Sequence, residues 1–188
     1  MALCRVRGVG VENLGRLELE ERKECYTYSY RAGVDFSIIR SLYESLLAVH
    51  RRAGGEGLVN AARGGHLDIV EAFIGTLGVD VDAVDRNQMT ASMAAAMHGH
   101  TATVNALAGT HNANVEAVDA FGKTALMHAA YDGHTDTVNA LVGTYNANVD
   151  AIDREQNGWT ALMYASFNGQ TDTVNALIRH GASVARRG

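Results

Sequence analysis

The chain has 188 residues, 47% of them apolar and 20% charged, with two cysteines, no proline and a net charge of −5. That balance permits a packed core and argues against wholesale disorder; two cysteines exclude a disulfide framework, and no apolar run is long enough to predict a membrane-spanning helix. Residues 1–53 carry nine Lys/Arg against seven Asp/Glu, whereas 54–188 carry seven against fourteen, so the larger part is a poor match for phosphate backbones and nucleic acid is not the expected partner.

The N-terminal "MALCRVRGVGVENLG" lacks the apolar stretch of a secretory signal. Cys4 and Cys25 form no CxxC pair and read as inert thiols, and there is no Asn-x-Ser/Thr acceptor. Together these predict a reducing compartment, the cytoplasm, with the nucleus also open. "LELEERKECYTYSY" alternates apolar and polar residues without choosing a conformation. In "DFSIIRSLYESLLAVHRR" (35–52), Phe36, Ile39, Tyr43, Leu46 and Leu47 fall at helical spacing behind a capping Asp35. The expectation is an N-terminal extension over 1–53, with a helix at 35–52 that caps the remainder of the chain.

From residue 54 onward the chain repeats. "GHLDIVEAFI" begins at Gly65, "GHTATVNALA" at Gly99, "GHTDTVNALV" at Gly133 and "GQTDTVNALI" at Gly169. A fixed period in the thirties marks stacked units, each too small to bury its own apolar face. The unit at 119–152 shows how one is built. "DAFGKT" is a turn signal, Thr124 is placed to N-cap a helix over "ALMHAAYD", and Gly133 is placed to end it in a left-handed cap. "TDTVNALVGTYN" is a second helix whose Val138, Leu141 and Val142 share one face. "NANVDAID" is an extended link, and alanines 125, 129 and 130 let neighbouring helices approach closely.

Asp119, Gly122, Thr124, Leu126, Ala129, Ala130, Gly133, His134, Val138, Leu141 and Val149 match the ankyrin repeat signature. So do Asp153, Gly158, Thr160, Leu162, Ala165, Gly169, Val174, Leu177, Gly181, Ala182 and Val184. The chain therefore resembles the ankyrin repeat family over residues 56 to about 185. The resemblance implies an all-α, ankyrin-type helix-turn-helix solenoid with hairpin-like turns between repeats. The array occupies 54–188, with repeats near 56–84, 85–118, 119–152 and 153–188, the first a half-repeat without a turn. There are departures. Alanine replaces the proline that starts the first helix in the family, and methionine replaces the histidine two positions later. Gln88 stands where a turn glycine belongs, which predicts an irregular turn. Two extra residues precede Trp159, and the link after the second helix is one residue longer in the earlier units than in the last.

The array shows little reactive chemistry. His66, His100 and His134 recur at the family's structural Gly-His position. His128 reads as packed or touching a partner, and no three or four ligands converge as zinc requires. Asp85, Asp119 and Asp153 read as turn caps. No nucleophile motif, P-loop or paired-acid cleft is legible, so no catalytic residue, metal or cofactor is expected and the chain is not expected to be an enzyme. The resemblance implies a protein partner held along the fingertips and the exposed side of the first helices, in a concave groove. The matching positions are Met89, Met97 and His98; Phe121, Lys123, Tyr131 and Asp132; and Trp159, Phe167 and Asn168. Aromatics and methionine are what interface cores favour. The bland alternative has Tyr131 and Phe167 shielding a seam and Trp159 packing on a neighbouring finger. Asn105, Asn139 and Asn175 read as traces of duplication. Leu162, Met163, Val174 and Leu177 are expected to leave an apolar end that frays, stacks on a partner or self-associates end to end. The readings are then a protein-binding scaffold, a truncated or degenerate repeat protein with no dedicated partner, or an array accessory to an enzyme.

Overall fold

The computed structural model describes residues 54–154 and 158–184, all inside the second of the two units into which the chain divides, Arg52–Gly188. The helix expected over 35–52 lies outside the described residues. Those described form four helix pairs. The first is α1 (54–63) with α2 (Leu67–Glu71), and the second is α3 (Ala91–Met97) with α4 (Thr101–Asn105). The third is α5 (Ala125–Asp132) with α6 (Thr135–Gly143), and the fourth is α7 (Ala161–Phe167) with α8 (Thr171–Arg179). Among the described residues there are no strands, and one antiparallel bridge joins Val84 to Thr90. This is the expected all-α array of helix-turn-helix units.

Local chemistry sets the helix ends. The hydroxyls of Thr90, Thr124 and Thr160 accept from the amides of Met93, Met127 and Met163 at 3.3, 3.4 and 3.4 Å. Each meets one of the donors that a helix start leaves unsatisfied. Gly133 closes α5 at φ 79°, the left-handed cap its position predicts. The longer link is absorbed at the end of the second helix. Leu77, His111 and Tyr145 donate to carbonyls five residues back, at Ala72, Ala106 and Ala140, whereas His180 donates four back, to Ala176. In the first two units the final turn is accordingly π-helical, over Ala72–Thr76 and Ala106–Thr110. Gln88 adopts φ 58°, beside 80° for Gly122 and 84° for Gly158. Its turn thus keeps the left-handed geometry of the others, at the cost of backbone strain rather than by irregularity.

First helices pack on first helices, with second helices behind them. Ala95, Ala129 and Ala165 are fully buried there, so helix spacing depends on small side chains; a leucine at Ala129 would overpack the seam by about 1–3 kcal/mol. Leu107, Leu141 and Leu177 are equally buried one layer back, each worth about 1.5–3 kcal/mol of apolar burial. Leu177, expected at an uncovered end, is therefore a core residue; Leu162, Met163 and Val174 do line that end, together with Ile178.

Polar rungs tie each seam in register. The rings of His100 and His134 sit over Gly65 and Gly99, where any side chain would collide with them. Their Nε2 atoms are 3.0 Å from the Arg63 and Met97 carbonyl oxygens. Thr101 pairs with Thr137 at 2.7 Å and Thr135 with Thr173 at 2.8 Å. Carboxylates of Asp82, Glu116 and Asp150 accept from the amides of Asn114, Asn148 and Ser183 in the next link along the chain. Asn105 accepts from the Tyr145 hydroxyl, and Asn139 meets His180 at 3.0 Å. Asn105 and Asn139 are thus seam acceptors, not merely traces of duplication.

Candidate functional site

The fingers are built around three aspartates. Asp85 Oδ1 accepts from the amides of Asn87 and Met89 at 2.8 and 3.0 Å, and Asp119 Oδ1 from those of Phe121 and Lys123 at 2.9 Å each. Asp153 Oδ1 accepts from Trp159 across the longer third finger, at 3.0 Å. Neighbouring fingers are joined by backbone bonds, Ala120 to Asn87 and Arg154 to Phe121. The second oxygen of each aspartate braces a finger against a helix. Asp85 Oδ2 lies 3.6 Å from Arg63, Asp119 Oδ2 is bonded to His128 Nε2 at 3.0 Å, and Asp153 Oδ2 accepts from the Tyr164 hydroxyl. Burial pushes the Asp119 carboxyl up. The hydrogen bond and charge of His128 and the amides of Lys123 and Phe121 outweigh it and hold the group below the ordinary carboxylate range. His128 is buried in this brace, which settles its place as packed.

On that scaffold the aromatic side chains meet edge to face. Trp159 lies 5.4 Å from both Tyr164 and Phe167, and Tyr131 lies 6.0 Å from Tyr164. Lys123 Nζ stands 5.0 Å from the Tyr164 ring centre and 5.9 Å from that of Phe121, within cation–π range. Phe121, Tyr131 and Phe167 are exposed, Phe167 by 72%. Trp159 is half-buried against the core. Asp132 and His98 are exposed, and Met97 is half-buried and packed on the core.

Two positions of the row differ from expectation. Met89 is 6% exposed and belongs to the core, because the Asp85 turn folds its side chain inward. Asn168 donates from Nδ2 to the Tyr131 carbonyl at 2.7 Å, where the earlier seams use a histidine. Tyr164, which joins the whole cluster, is missing from the sequence-based row. Its signal was the spacing to Asp153, eleven against nine for Asp119 to His128, once the two extra finger residues are counted. Among the described residues no three His, Cys, Asp or Glu side chains gather as metal ligands, and no helix is long and apolar enough to cross a membrane.

Helix pairs at this period, capped by threonine and joined by aspartate-braced fingers, define an ankyrin-type array. The ankyrin repeat family model matches three times, over residues 33–119, 58–153 and 111–187, and the chain belongs to that family. Its members are generally non-enzymatic modules of protein–protein interaction. Comparison with curated proteins returns no match.

Proposed function

We propose that the chain is a protein-binding module, working in the cytoplasm, that holds one partner protein through its finger-side face. The exposed Tyr131 and Phe167, held against Tyr164 and Trp159, and the exposed Phe121 beside Lys123 carry this reading. Exposed rings already held in place lose little freedom on contact and bury much apolar area, as interface anchors do. Met97, His98, Lys123, Asp132 and Trp159 flank them, and no reacting group is asked to do chemistry.

The test is a capture experiment from cell extract with the full chain and with a F121A/Y131A/F167A variant. The expected result is loss of specifically captured proteins with unchanged helical circular dichroism and melting temperature. Retention of every captured protein by the folded variant would remove this face as the binding surface.

A further inference from the structure

Charge is unevenly placed across the described repeats. Of their five Lys and Arg side chains, four belong to the fingers or touch them. Arg63 ends α1 with its guanidinium 3.6 Å from Asp85. Arg86 and Arg154 each follow a turn aspartate, in the first and third fingers, and Lys123 stands in the second. The second helices and the links have the reverse balance. Asp68, Glu71, Asp136 and Asp172 lie on the second helices, the first three links add the carboxylates that bond to the next link, and Arg179 is the one Lys or Arg among the described residues there. The finger-side acids are mostly turned inward. Asp119 and Asp153 are buried in their turns and Asp85 is held by Arg63. Glu56 pairs with Arg86 at 2.7 Å but leaves that side chain 76% exposed. Asp132 is the one exposed finger-side acid among the described residues; Glu155 lies outside them.

These cations are interleaved with the rings of the partner face. The Arg154 amide donates to the Phe121 carbonyl, and the Arg154 stem crosses the second finger so closely that a Cβ on Gly122 would lie 2.7 Å from its Cγ. Lys123 Nζ stands 5.9 Å from the centre of the Phe121 ring. The exposed Phe121 is therefore flanked by two cationic side chains. Lys123 also covers the Tyr164 ring, against which the exposed Tyr131 is packed.

We infer that the segment this face holds is an acidic peptide, one that carries both carboxylates and aromatic side chains; the inference rests on the partner face proposed above and names its ligand. The carboxylates meet Arg86, Lys123 and Arg154 in charge-assisted hydrogen bonds, while the segment's rings bury area on Phe121, Tyr131 and Phe167. Charge complementarity selects the occupant. A basic segment would be drawn to the second helices and links instead, whereas an acidic one is repelled there and steered to the fingers. A nucleic-acid strand brings a charge at every residue and meets the acids of the rest of the array at the range of a Debye length, about 8 Å at physiological salt. A peptide with a few carboxylates among apolar side chains matches a few cations set among rings.

Fluorescence anisotropy of labelled polymers with the full chain tests it, the probes being a random glutamate–tyrosine copolymer, polyglutamate, a lysine–tyrosine copolymer and oligothymidylate. The glutamate–tyrosine copolymer is expected to bind at least about tenfold more tightly than any of the other three, and more weakly as salt rises. R86E/R154E is expected to weaken it at least about tenfold and to flatten the salt dependence, while R86K/R154K stays close to wild type. R86E alone changes only an exposed side chain and is expected to weaken it at least about threefold, which keeps the test intact if R154E disturbs the finger. No binding of the glutamate–tyrosine copolymer, equal binding by R86E and R86E/R154E, or tighter binding of the lysine–tyrosine copolymer or of oligothymidylate would each overturn the inference. The partner face fails separately. It falls if the F121A/Y131A/F167A variant keeps every protein captured from extract; if that variant loses them while R86E/R154E keeps them, the face stands and only the acidic segment is removed.

Discussion

Ser92 sits on α3 at the position that Leu126 and Leu162 fill in later repeats, and its hydroxyl is buried with no hydrogen-bond partner among the described residues. A buried unsatisfied hydroxyl costs about 1–3 kcal/mol, and serine is also a poorer helix former than alanine. Ser92→Ala is therefore expected to stabilise the array by about 1 kcal/mol, raising the melting temperature by about 3 °C in calorimetry. Asp119 makes a second residue-scale prediction. Its carboxyl is held below its ordinary range in the folded chain, so the folded state binds fewer protons there than the unfolded one. The stabilisation is fully present above the unfolded pKa of about 3.9 and is lost as pH falls through and below it. Urea midpoints should fall between about pH 5 and pH 3, and less steeply in Asp119→Asn, which is already less stable at neutral pH. Equal slopes for the two proteins would show that the His128 brace does not bind the proton difference.

At the scale of the element, the seam histidines separate two roles that look identical in sequence. His134 bonds to the Met97 carbonyl, whereas His66 is exposed. His134→Ala is expected to lower stability by about 0.5–1.5 kcal/mol in urea unfolding of dilute protein, with His66→Ala within about 0.5 kcal/mol of wild type. Within a unit, structure was legible because its signals are local. Thr124 caps the helix three residues ahead of it, Gly133 ends the same helix, and Asp119 bonds two and four residues on. Across a seam the hydrogen-bond partners lie between 30 and 41 residues apart, as in Arg86 with Glu56 and His180 with Asn139. No periodicity distinguishes such a partner from a surface residue. Asn105 thus looked like a relic, and Asn168 looked like a free partner-binding group although it bonds to the Tyr131 carbonyl. The candidate face was half legible for the same reason. Register placed Phe121, Tyr131, Trp159 and Phe167 along it, but burial removed Met89, and the inserted finger residues hid Tyr164.

For the array as a whole, stability approximates a sum of repeat terms and nearest-neighbour seams. Among the described residues α5 and α6 have a repeat on both sides, while α7 and α8 have one on one side only. The seam they share is tied by Asn168, Thr173, His180 and Ser183, all bonded to the third repeat. Opening the fourth repeat breaks that one seam and leaves the others intact, whereas opening the third breaks two. Amide exchange at low concentration should accordingly be at least about tenfold faster in α7 and α8 than in α5 and α6, a difference of about 1.4 kcal/mol in opening free energy. Uniform protection from α3 to α8 at every concentration would instead mean that the array opens as one cooperative block, with no repeat separable from its neighbours.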